Sequence, residues 1–513
     1  MKRRVALVTT LVVLSLGLGG LFGKLWAQKT GSGLLQSLQT FSRVVDIVMS
    51  TYVRRIDPDK MIRSGIRGML GSLDPHTEFL EERELKELRV MTEGQFGGIG
   101  IHIGIMDQRL TVIAPIEGTP ADRAGMRGGD RIAEIEGKST ENYTTDDAIK
   151  VLRGEPGSKV KLGIARPGVR DLIPFELTRA IINIKAVPYA ALLEDGIGFV
   201  RLADFSKTAT RELSHAIDSL FDAGATKLIL DLRSNGGGLL GEGRDVTDLF
   251  LPPGEVIVRT RGRIPDSRHE YLSETPDVHG DGFPLVVLVD RASASAAEIV
   301  SGALQDWERA LIVGDTTYGK GSVQTVHPLG PEIAVKVTTA FWYTPSGRCI
   351  NRPYDKESAV IPDSTQDTTR VFYTLGKLHR TVYGGGGIVP DVYVAYARLT
   401  PLAARMTRDA FFDFAVDYTS SHPGLTADFR ADKAVLGQFH DYLMTTRKLE
   451  FTEAEFDSSQ SIFEREIERE VAAKLLGMRG DYQARIRRDE HVRRATELLR
   501  PVQSLDELLK GLK

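Results

Sequence analysis

The chain has 513 residues, of which 42% are hydrophobic, 26% charged and 7% aromatic. These ordinary globular values exclude a fibrous or wholly disordered protein, and the length predicts about three domains. A net charge of −3 gives no overall attraction to nucleic acid. The single cysteine, Cys349, excludes an internal disulfide and cysteine-rich metal sites, and the ten histidines lack ligand spacing. We therefore expect no metal and no nucleic-acid partner.

The first residues predict a targeting segment. Three cationic residues, Lys2 to Arg4, precede a mostly apolar run from Val5 to Gly23. This order is typical of a signal peptide or a membrane anchor, which we place at residues 1–27. Cleavage after Ala27 has a poor match in Leu25, so retention and cleavage both stay open, and a buried core helix is the alternative. We expect membrane association and an extracytoplasmic body, periplasmic or anchored facing outward.

An N-terminal helical segment is predicted at residues 34–92. Apolar residues recur at helical spacing over 34–53, and a second helix is predicted over 59–73, before Asp74-Pro75. The apolar faces of the first helix, over 34–53, and of the helices in the C-terminal tail have no partner that the sequence identifies. Pairing of two copies through these helices predicts a homodimer.

The next region, residues 93–180, has the texture of a small β-rich module. Short alternating segments are separated by glycine and proline. The predicted strands cover 96–103, 110–116, 131–135 and 160–164, with a helix over 145–152.

Strands and helices alternate in residues 181–395, which predicts an α/β core with parallel pairing. The predicted strands are 197–202, 227–232, 285–289 and 310–313, and the predicted helices are 210–223 and 296–307. Residues 396–513 are predicted as a helical appendage, interrupted near Pro423 and at a turn over 457–459.

The strongest chemical pattern is the segment Ser293 to Glu298, at a predicted junction between a strand and a helix. A serine there lies at the positive end of the helix, where the next backbone N–H can bind an oxyanion. Ser295 and Glu298 also have the spacing of a helix capping box. The sequence leaves both roles open.

Two glycine-rich segments follow other predicted strands. Residues 231–238 end in three glycines that let backbone N–H groups approach a ligand. Arg233 in that segment and Glu298 carry opposite charges, so an ion pair between them is one expectation. Lys320 is flanked by Gly319 and Gly321, and a lysine held partly out of water is a candidate base. An ordinary tight turn and a solvated lysine are the alternatives.

Three other chemistries are disfavoured. Residues 314–320 approach the phosphate-binding loop, but Gly321 stands where that motif needs Ser or Thr, and a strand rather than a helix is predicted next. The sequence contains no Gly-x-Ser-x-Gly and no His-Glu-x-x-His, which disfavours the common esterase elbow and the zincin metalloproteases.

The three segments together resemble the carboxyl-terminal processing proteases, also called tail-specific proteases. The family's Ser-Ala-Ser-Ala-Ser-Glu appears at 293–298 with Ala297 for its last serine, and Gly-Lys-Gly-x-x-Gln appears unchanged at 319–324. Asp-Leu-Arg-x-Asn-x-Gly-Gly matches residues 231–238. The resemblance covers about residues 34–395. It implies an α/β fold, a protease core similar to crotonase and ClpP with an inserted β-rich PDZ domain and flanking helical segments.

The resemblance also assigns roles in the core. Ser295 is the expected nucleophile, Lys320 its general base and Gln324 the residue that orients the lysine. The oxyanion hole is expected at the N–H of Ala296 together with the N–H of Gly237 or Gly238. Neither a cofactor nor a metal is implied. An insertion at 351–387 and the helical tail have no counterpart in these motifs.

The module at 93–180 resembles a PDZ domain. Such a domain binds a peptide as an added strand and holds the terminal carboxylate in a nest of backbone N–H groups. The nest and the edge strand are expected in one segment, which contains Gly97, Gly98, Ile99, Gly100 and Ile101. The helix around 147–152 faces them, and we expect a preference for apolar C-terminal residues.

The resulting hypothesis is a serine endopeptidase that recognises protein C-terminal tails through its PDZ domain and cleaves them with a Ser-Lys dyad. A non-catalytic PDZ adaptor on a protease-like core in the cell envelope is one alternative, which the intact Ser295, Lys320 and Gln324 disfavour. A crotonase-like acyl-CoA enzyme is another, and it does not account for the PDZ module or the targeting segment.

Overall fold

The computed structural model describes residues 32–275, 282–352, 371–396, 398–406, 408–426 and 428–511. The chain divides into two compact units, Met1–Phe79 and Leu80–Lys513. The predicted targeting segment at 1–27 lies outside the described residues. Among the residues that are described, no helix is both long and apolar enough to cross a membrane.

The N-terminal unit contains the two predicted helices. They are α1 (Ser32–Thr51) and α2 (Pro58–Gly71), and strand β1 (Glu78–Leu80) begins at the end of the unit. Asp57 starts α2 because its side chain accepts the N–H of Asp59 at 3.0 Å, and Pro58 occupies the first helical position. The apolar residues Leu34, Leu38 and Val44 of α1 are exposed.

The second unit begins with the β-rich module, in which the predicted helix and three of the four predicted strands are present. Its elements are α3 (Glu82–Glu93), β2 (Gln95–Gly98), β3 (Ile101–Met106), β4 (Arg109–Pro115), α4 (Pro120–Arg123), β5 (Arg131–Ile135), β6 (Lys138–Ser139), α5 (Thr145–Leu152), β7 (Lys159–Ala165), β8 (Ile173–Thr178) and β9 (Ala180–Asn183). The sheet order is β3-β4-β5-β7-β8, so β3 is an edge strand. The predicted strand over 96–103 is in fact two strands, because β2 pairs with β9 and the chain turns at Gly100 (φ 78°).

The α/β core follows the predicted alternation. Its elements are β10 (Tyr189–Leu192), β11 (Ile197–Arg201), α6 (Ala209–Asp222), β12 (Lys227–Asp231), α7 (Leu240–Asp248), β13 (Val256–Gly262), β14 (His269–Leu272), β15 (Leu285–Val289), α8 (Ala296–Asp306), β16 (Leu311–Gly314), β17 (Ser322–Pro328), β18 (Ala334–Tyr343), β19 (Val371–Tyr373), β20 (Thr381–Tyr383) and β21 (Val392–Tyr393). The main sheet has the order β10-β11-β12-β15-β16-β21, and all neighbours except β10 and β11 pair in parallel. In a second sheet β18 pairs with β13 and with β17.

Both faces of the main sheet are covered, which explains why its strands are continuous apolar runs. Val287 and Val289 of β15 face a core that includes α6, α7 and α8. Val286 and Leu288 face the opposite way, toward Val492 and Leu499 near the C-terminus. The C-terminal helices are therefore one layer of the core, and the prediction of an appendage is wrong for this part of the tail.

The tail is helical as predicted. Its helices are α9 (Pro401–Arg405), α10 (Arg408–Ser421), α11 (Lys433–Thr445), α12 (Glu453–Arg487), α13 (Glu490–Leu499) and α14 (Leu505–Lys510). The break near Pro423 is confirmed, because α10 ends at Ser421. The predicted turn at 457–459 is wrong. Thr452 and Glu455 cap the start of α12, and the Ser459 hydroxyl donates to the Glu455 carbonyl inside the helix at 2.8 Å.

Candidate active site

Ser295 lies at a sharp turn between β15 and α8. Its backbone has φ 56° and ψ −115°, a conformation that costs free energy in any residue with a Cβ and that clusters at functional sites. Every residue of α8 is buried, whereas Ser295 itself is only half-buried. The geometry is that of a nucleophile elbow, reached without the Gly-x-Ser-x-Gly sequence.

Glu298 connects the Ser295 turn to the Lys320 loop. Its buried carboxylate accepts the backbone N–H of Ser295 (2.8 Å) and of Lys320 (2.9 Å) on the same oxygen, Oε2. The other oxygen, Oε1, accepts Gly319 N–H at 2.7 Å and the hydroxyl of Thr317 at 2.5 Å. Burial raises the pKa of Glu298, and these four hydrogen bonds oppose that rise. The two loops are thus joined through one carboxylate.

The carboxylate half of the predicted capping box is present in this arrangement. Ser295 N–H donates to Glu298, while Glu298 N–H donates to the Ser295 carbonyl oxygen at 2.8 Å. Capping and the loop connection therefore use the same side chain.

The lysine loop is fixed on both sides of Lys320, which is half-buried. Gly319 has φ 90°, and a Cβ on Gly321 would lie 2.9 Å from Asn351. The indole Nε1 of Trp342 donates to the Lys320 carbonyl at 3.1 Å. Both glycines are therefore required by close packing and backbone conformation.

Gln324 follows a bulge in the pairing of β17 with β18, between Val323 and Gln324. A bulge changes the face toward which a side chain points. The Gln324 amide Nε2 donates to the Ser322 hydroxyl at 2.9 Å and lies 3.4 Å from the Thr338 hydroxyl. These contacts restrain the amide on the strand that continues from the lysine loop.

The glycines after β12 pack directly against the Ser295 turn. A Cβ on Gly237 would lie 2.7 Å from the Ser295 Cβ and 2.9 Å from the Ala296 nitrogen. The N–H of Gly237 donates to the Asn235 Oδ1 at 2.8 Å. Within the described residues, the N–H groups of Gly238 and Ala296 have no acceptor. Of the three expected oxyanion donors, these two remain available.

The expected ion pair between Arg233 and Glu298 is not formed. The Arg233 guanidinium binds Asp231 (Nη2 to Oδ2, 2.9 Å) and, through Nη1, both carboxylate oxygens of Asp489 at 2.9 and 2.8 Å. Burial alone would raise the pKa of Asp231, but the cations Arg233 and Arg201 hold it below its usual value. Within the described ranges, the donors to Glu298 are three backbone N–H groups and one hydroxyl, all neutral.

Asp489 is a site residue that sequence analysis missed. It caps α13 by accepting the N–H of His491 at 2.9 Å, and it also holds Arg233. An Asp before a helix is a cap signal that the sequence contains. The contact with Arg233, 256 positions away, has no local signal.

Thr317 and the glycines at 384–387 were missed as well. A Cβ on Gly387 would lie 2.4 Å from the Thr317 carbonyl, and Ile388 N–H donates to the Thr317 hydroxyl at 2.6 Å. That hydroxyl is the one that binds Glu298. The chain therefore returns from the predicted 351–387 insertion to support the lysine loop; residues 353–370 of the insertion lie outside the described ranges.

In the β-rich module, the expected peptide-binding segment separates into two parts. Gly97 and Gly98 belong to β2, and Ile101 starts the edge strand β3. Between them, the carbonyls of Ile99 and Gly100 accept hydrogen bonds, while their N–H groups have no acceptor within the described residues. These N–H groups, β3 and α5 line a cavity of about 1200 Å³.

The described part of the chain contains no group of three or more His, Cys, Asp or Glu side chains that could hold a metal ion. Cys349 is buried, and burial raises the pKa of its thiol.

Comparison with known families matches both regions. The sequence model described as Peptidase family S41 matches residues 196–365, and the PDZ domain model matches residues 111–166. A carboxy-terminal-processing protease of Bartonella bacilliformis is 41% identical over 319 residues, which are 61% of this chain and 73% of the relative. The carboxy-terminal processing protease CtpA of Bacillus subtilis is 32% identical, over 66% of this chain and 72% of the relative.

Two solved structures also share sequence similarity with this chain. The photosystem II D1 C-terminal processing protease is 29% identical over 69% of this chain and 92% of that chain, with a TM-score of 0.37. The PDZ domain of a carboxy-terminal protease from Vibrio cholerae, solved with a peptide, is 26% identical over 18% of this chain and 99% of that domain, with a TM-score of 0.17. The two sequence relatives are both more than 30% identical to this chain and are matched over more than two thirds of their length. This chain therefore belongs to the carboxy-terminal processing proteases, serine peptidases of family S41 with a PDZ domain.

Proposed function

We propose that Ser295 is the nucleophile and Lys320 the general base of this peptidase. The observation that carries the proposal is the Glu298 carboxylate, one oxygen of which accepts the backbone N–H of both residues. The backbone nitrogens of Ser295 and Lys320 therefore lie within two hydrogen-bond lengths of each other. The strained backbone of Ser295 and its place at the helix N-terminus add support.

The proposed reaction follows acyl-transfer chemistry. The neutral Lys320 amine takes the proton of the Ser295 hydroxyl as its oxygen attacks the scissile carbonyl carbon. The N–H groups of Ala296 and Gly238 bind the resulting oxyanion. The ammonium group of Lys320 then protonates the leaving amine, which breaks the peptide bond and leaves an acyl-enzyme. A water molecule, deprotonated by the same amine, then attacks the acyl carbon. The ester bond to Ser295 breaks, the product acid leaves, and the Lys320 ammonium returns its proton to the Ser295 oxygen. Gln324 orients the lysine from β17.

We further propose that the PDZ domain selects the substrate by its C-terminal tail. The N–H groups of Ile99 and Gly100 point to a carboxylate site, and β3 offers a free strand edge beside α5. Ile101 and Ile103 of β3 and Ile149 of α5 line the same cavity. A peptide with apolar C-terminal side chains and a free carboxylate matches this chemistry.

The first prediction concerns the dyad. Ser295→Ala and Lys320→Ala should each lower kcat on a protein with an apolar C-terminus by at least about 10³-fold, because each removes a group that acts in bond cleavage. Cleavage kinetics measure this change, and wild-type turnover in either variant would rule out the dyad.

A companion prediction concerns the substrate tail. Amidation of its C-terminus should raise KM about 10- to 100-fold, because it removes a charged acceptor. The same cleavage kinetics measure KM, and equal KM for free and amidated tails would rule out carboxylate capture.

The second prediction concerns Glu298. In Glu298→Gln one acceptor oxygen becomes an NH₂ group, so at least one of the backbone N–H groups of Ser295, Gly319 and Lys320 loses its acceptor. We expect kcat to fall about 10- to 100-fold, together with slower labelling of Ser295 by a fluorophosphonate.

The matched control for that variant is Glu308→Gln. Glu308 is also a buried glutamate, it accepts the Leu378 N–H at 2.8 Å, and it lies beyond the far end of α8. This control should lose stability but keep the labelling rate of the folded enzyme. Equal labelling rates in both variants would mean that Glu298 has only a structural role.

We propose that residues 1–27 export the protein and associate it with a membrane. The support is the order of three cations followed by an apolar run. Alkaline phosphatase fused after residue 31 should be active, because this enzyme folds only in an oxidising compartment. The same fusion without residues 2–27 is the control and should be inactive. Activity without the segment would contradict export by it.

We also propose a homodimer through α1. Leu34, Leu38, Phe41 and Val44, which recur every three or four residues, form an exposed apolar stripe. The triple variant Leu34→Asp, Leu38→Asp and Val44→Asp should lower the sedimentation coefficient by roughly a third, as expected for a dimer becoming a monomer. Met91→Asp, at an exposed position of α3, is the control. An unchanged coefficient in the triple variant would exclude this interface.

A further inference from the structure

The longest helix of the tail, α12, is a hairpin. Leu476 (φ −129°) and Gly477 (φ 59°, ψ −145°) leave the helical conformation, and positive φ is readily available to glycine. After this point the chain runs back along itself, because Arg488 Nη2 lies 2.8 Å from Glu468, 20 positions earlier. In a straight helix these residues would be about 30 Å apart.

The two arms of the hairpin are in close contact near the reversal. A Cβ on Gly480 would lie 2.1 Å from the Ala472 carbonyl oxygen. The Arg469 guanidinium lies 3.5 Å from Asp481 on the other arm. We call residues 475–479 the hairpin tip.

The hairpin tip lines the peptide cavity of the PDZ domain. Leu475, Leu476, Gly477, Met478 and Arg479 border the same cavity of about 1200 Å³ as the Ile99–Gly100 loop and β3. The space that remains is comparable to a small-molecule or peptide pocket. The tip is therefore a wall of the cavity and does not fill it.

Packing holds the hairpin against the PDZ domain. A Cβ on Gly128 would lie 3.4 Å from the Lys474 side chain, just before the tip. Phe412 and Val416 of α10 pack with Met106 of β3. Arg447, which follows α11, binds Asp107 in the turn after β3 at 2.7 Å. Only the first of these contacts is made by the hairpin itself. The hairpin reaches the others through α10, because Lys474 Nζ lies 3.2 Å from the ring centroid of Phe412.

The chemistry of the tip matches an apolar tail. Leu476 and Met478 are 44% and 39% exposed, although they border a concave site. Exposed apolar side chains in a cavity mark a binding surface more often than isolated ones do. Cations outnumber carboxylates among the residues that border the cavity, so its charge favours a ligand with a carboxylate. The cations are Arg123, Arg127, Arg153, Lys185, Lys474 and Arg479, and the carboxylates are Glu117 and Asp122.

We infer that the hairpin tip is part of the substrate-binding site and that Leu476 and Met478 contact apolar side chains of the substrate tail. This inference rests on the proposed capture of C-terminal tails. The occupant is the last few residues of an extended protein chain, whose carboxylate binds at Ile99 and Gly100. Selection of the tail is then shared between the PDZ domain and the C-terminal helices.

The test measures peptide binding without cleavage. Full-length protein with Ser295→Ala is titrated against a fluorescein-labelled peptide that ends in apolar residues, and Kd is read from fluorescence anisotropy. Adding Leu476→Asp and Met478→Asp should raise Kd about 10-fold or more, since apolar contacts are replaced by carboxylates that repel the peptide terminus. Leu476→Met should keep Kd within about twofold, because it preserves the apolar contact.

The control is Met444→Asp. Met444 is 47% exposed on α11, in the same helical region, and it is outside the cavity. It should leave Kd unchanged, and thermal unfolding should show that all variants are folded. An unchanged Kd in the double variant overturns the inference. A lower Kd overturns it too, because it would mean that the tip obstructs the groove.

The same titration separates this inference from the proposal on which it rests. If the Ser295→Ala protein binds the free and the amidated peptide equally, carboxylate capture is wrong and the inference falls with it. If it discriminates between them but the double variant behaves like its parent, only the role of the hairpin tip is wrong.

Discussion

The candidate active site depends on one buried carboxylate, and within the described residues no cation hydrogen-bonds to it. Glu298 is fully buried and accepts three backbone N–H groups and one hydroxyl, all neutral. A buried carboxylate is costly unless its oxygens are well satisfied. Two loops must therefore stay in place together, because displacement of either the Ser295 turn or the Lys320 loop leaves acceptor sites empty. The strain at Ser295 is maintained by the same requirement.

Support for that carboxylate extends outward in steps. Thr317 links Glu298 to Ile388, which follows the glycine run at 384–387. On the other side of the turn, Ala294 N–H donates to the Asn235 carbonyl at 2.9 Å, which ties the glycine segment after β12 to the serine turn. Arg233 then connects this glycine segment to Asp489 at the start of α13. The C-terminal helices thus act on the site in two ways, through the sheet they cover and through this ion pair.

Sequence patterns predicted the parts of this structure that are determined locally. Strands such as Leu285–Val289 are continuous apolar runs, as strands buried on both faces of a parallel sheet are. The Ser-x-x-Glu spacing identified the start of α8. The motifs also identified the segments that meet at the site. The prediction that Arg233 pairs with Glu298 was wrong, because charge alone does not specify which of several carboxylates distant in sequence lies close to an arginine in the fold. The prediction of a turn at 457–459 was also wrong. These residues are helical because the cap at Thr452 and the burial of Ser459 outweigh the weak helix propensity of Asp and Ser.

The hairpin in α12 shows why a helical pattern does not determine where a helix points. Local composition over 453–487 favours helix on both sides of Leu476, and isolated glycines inside such a pattern, here Gly477 and Gly480, are usually tolerated. Reversal at Gly477 becomes favourable because the arms gain the contacts of Arg469 and Arg488 with the opposite arm. These contacts exist only after the chain has folded back. The position of the tip at the PDZ cavity is thus a tertiary property, and it brings a helix outside the two matched regions, residues 111–166 and 196–365, to the edge of that cavity.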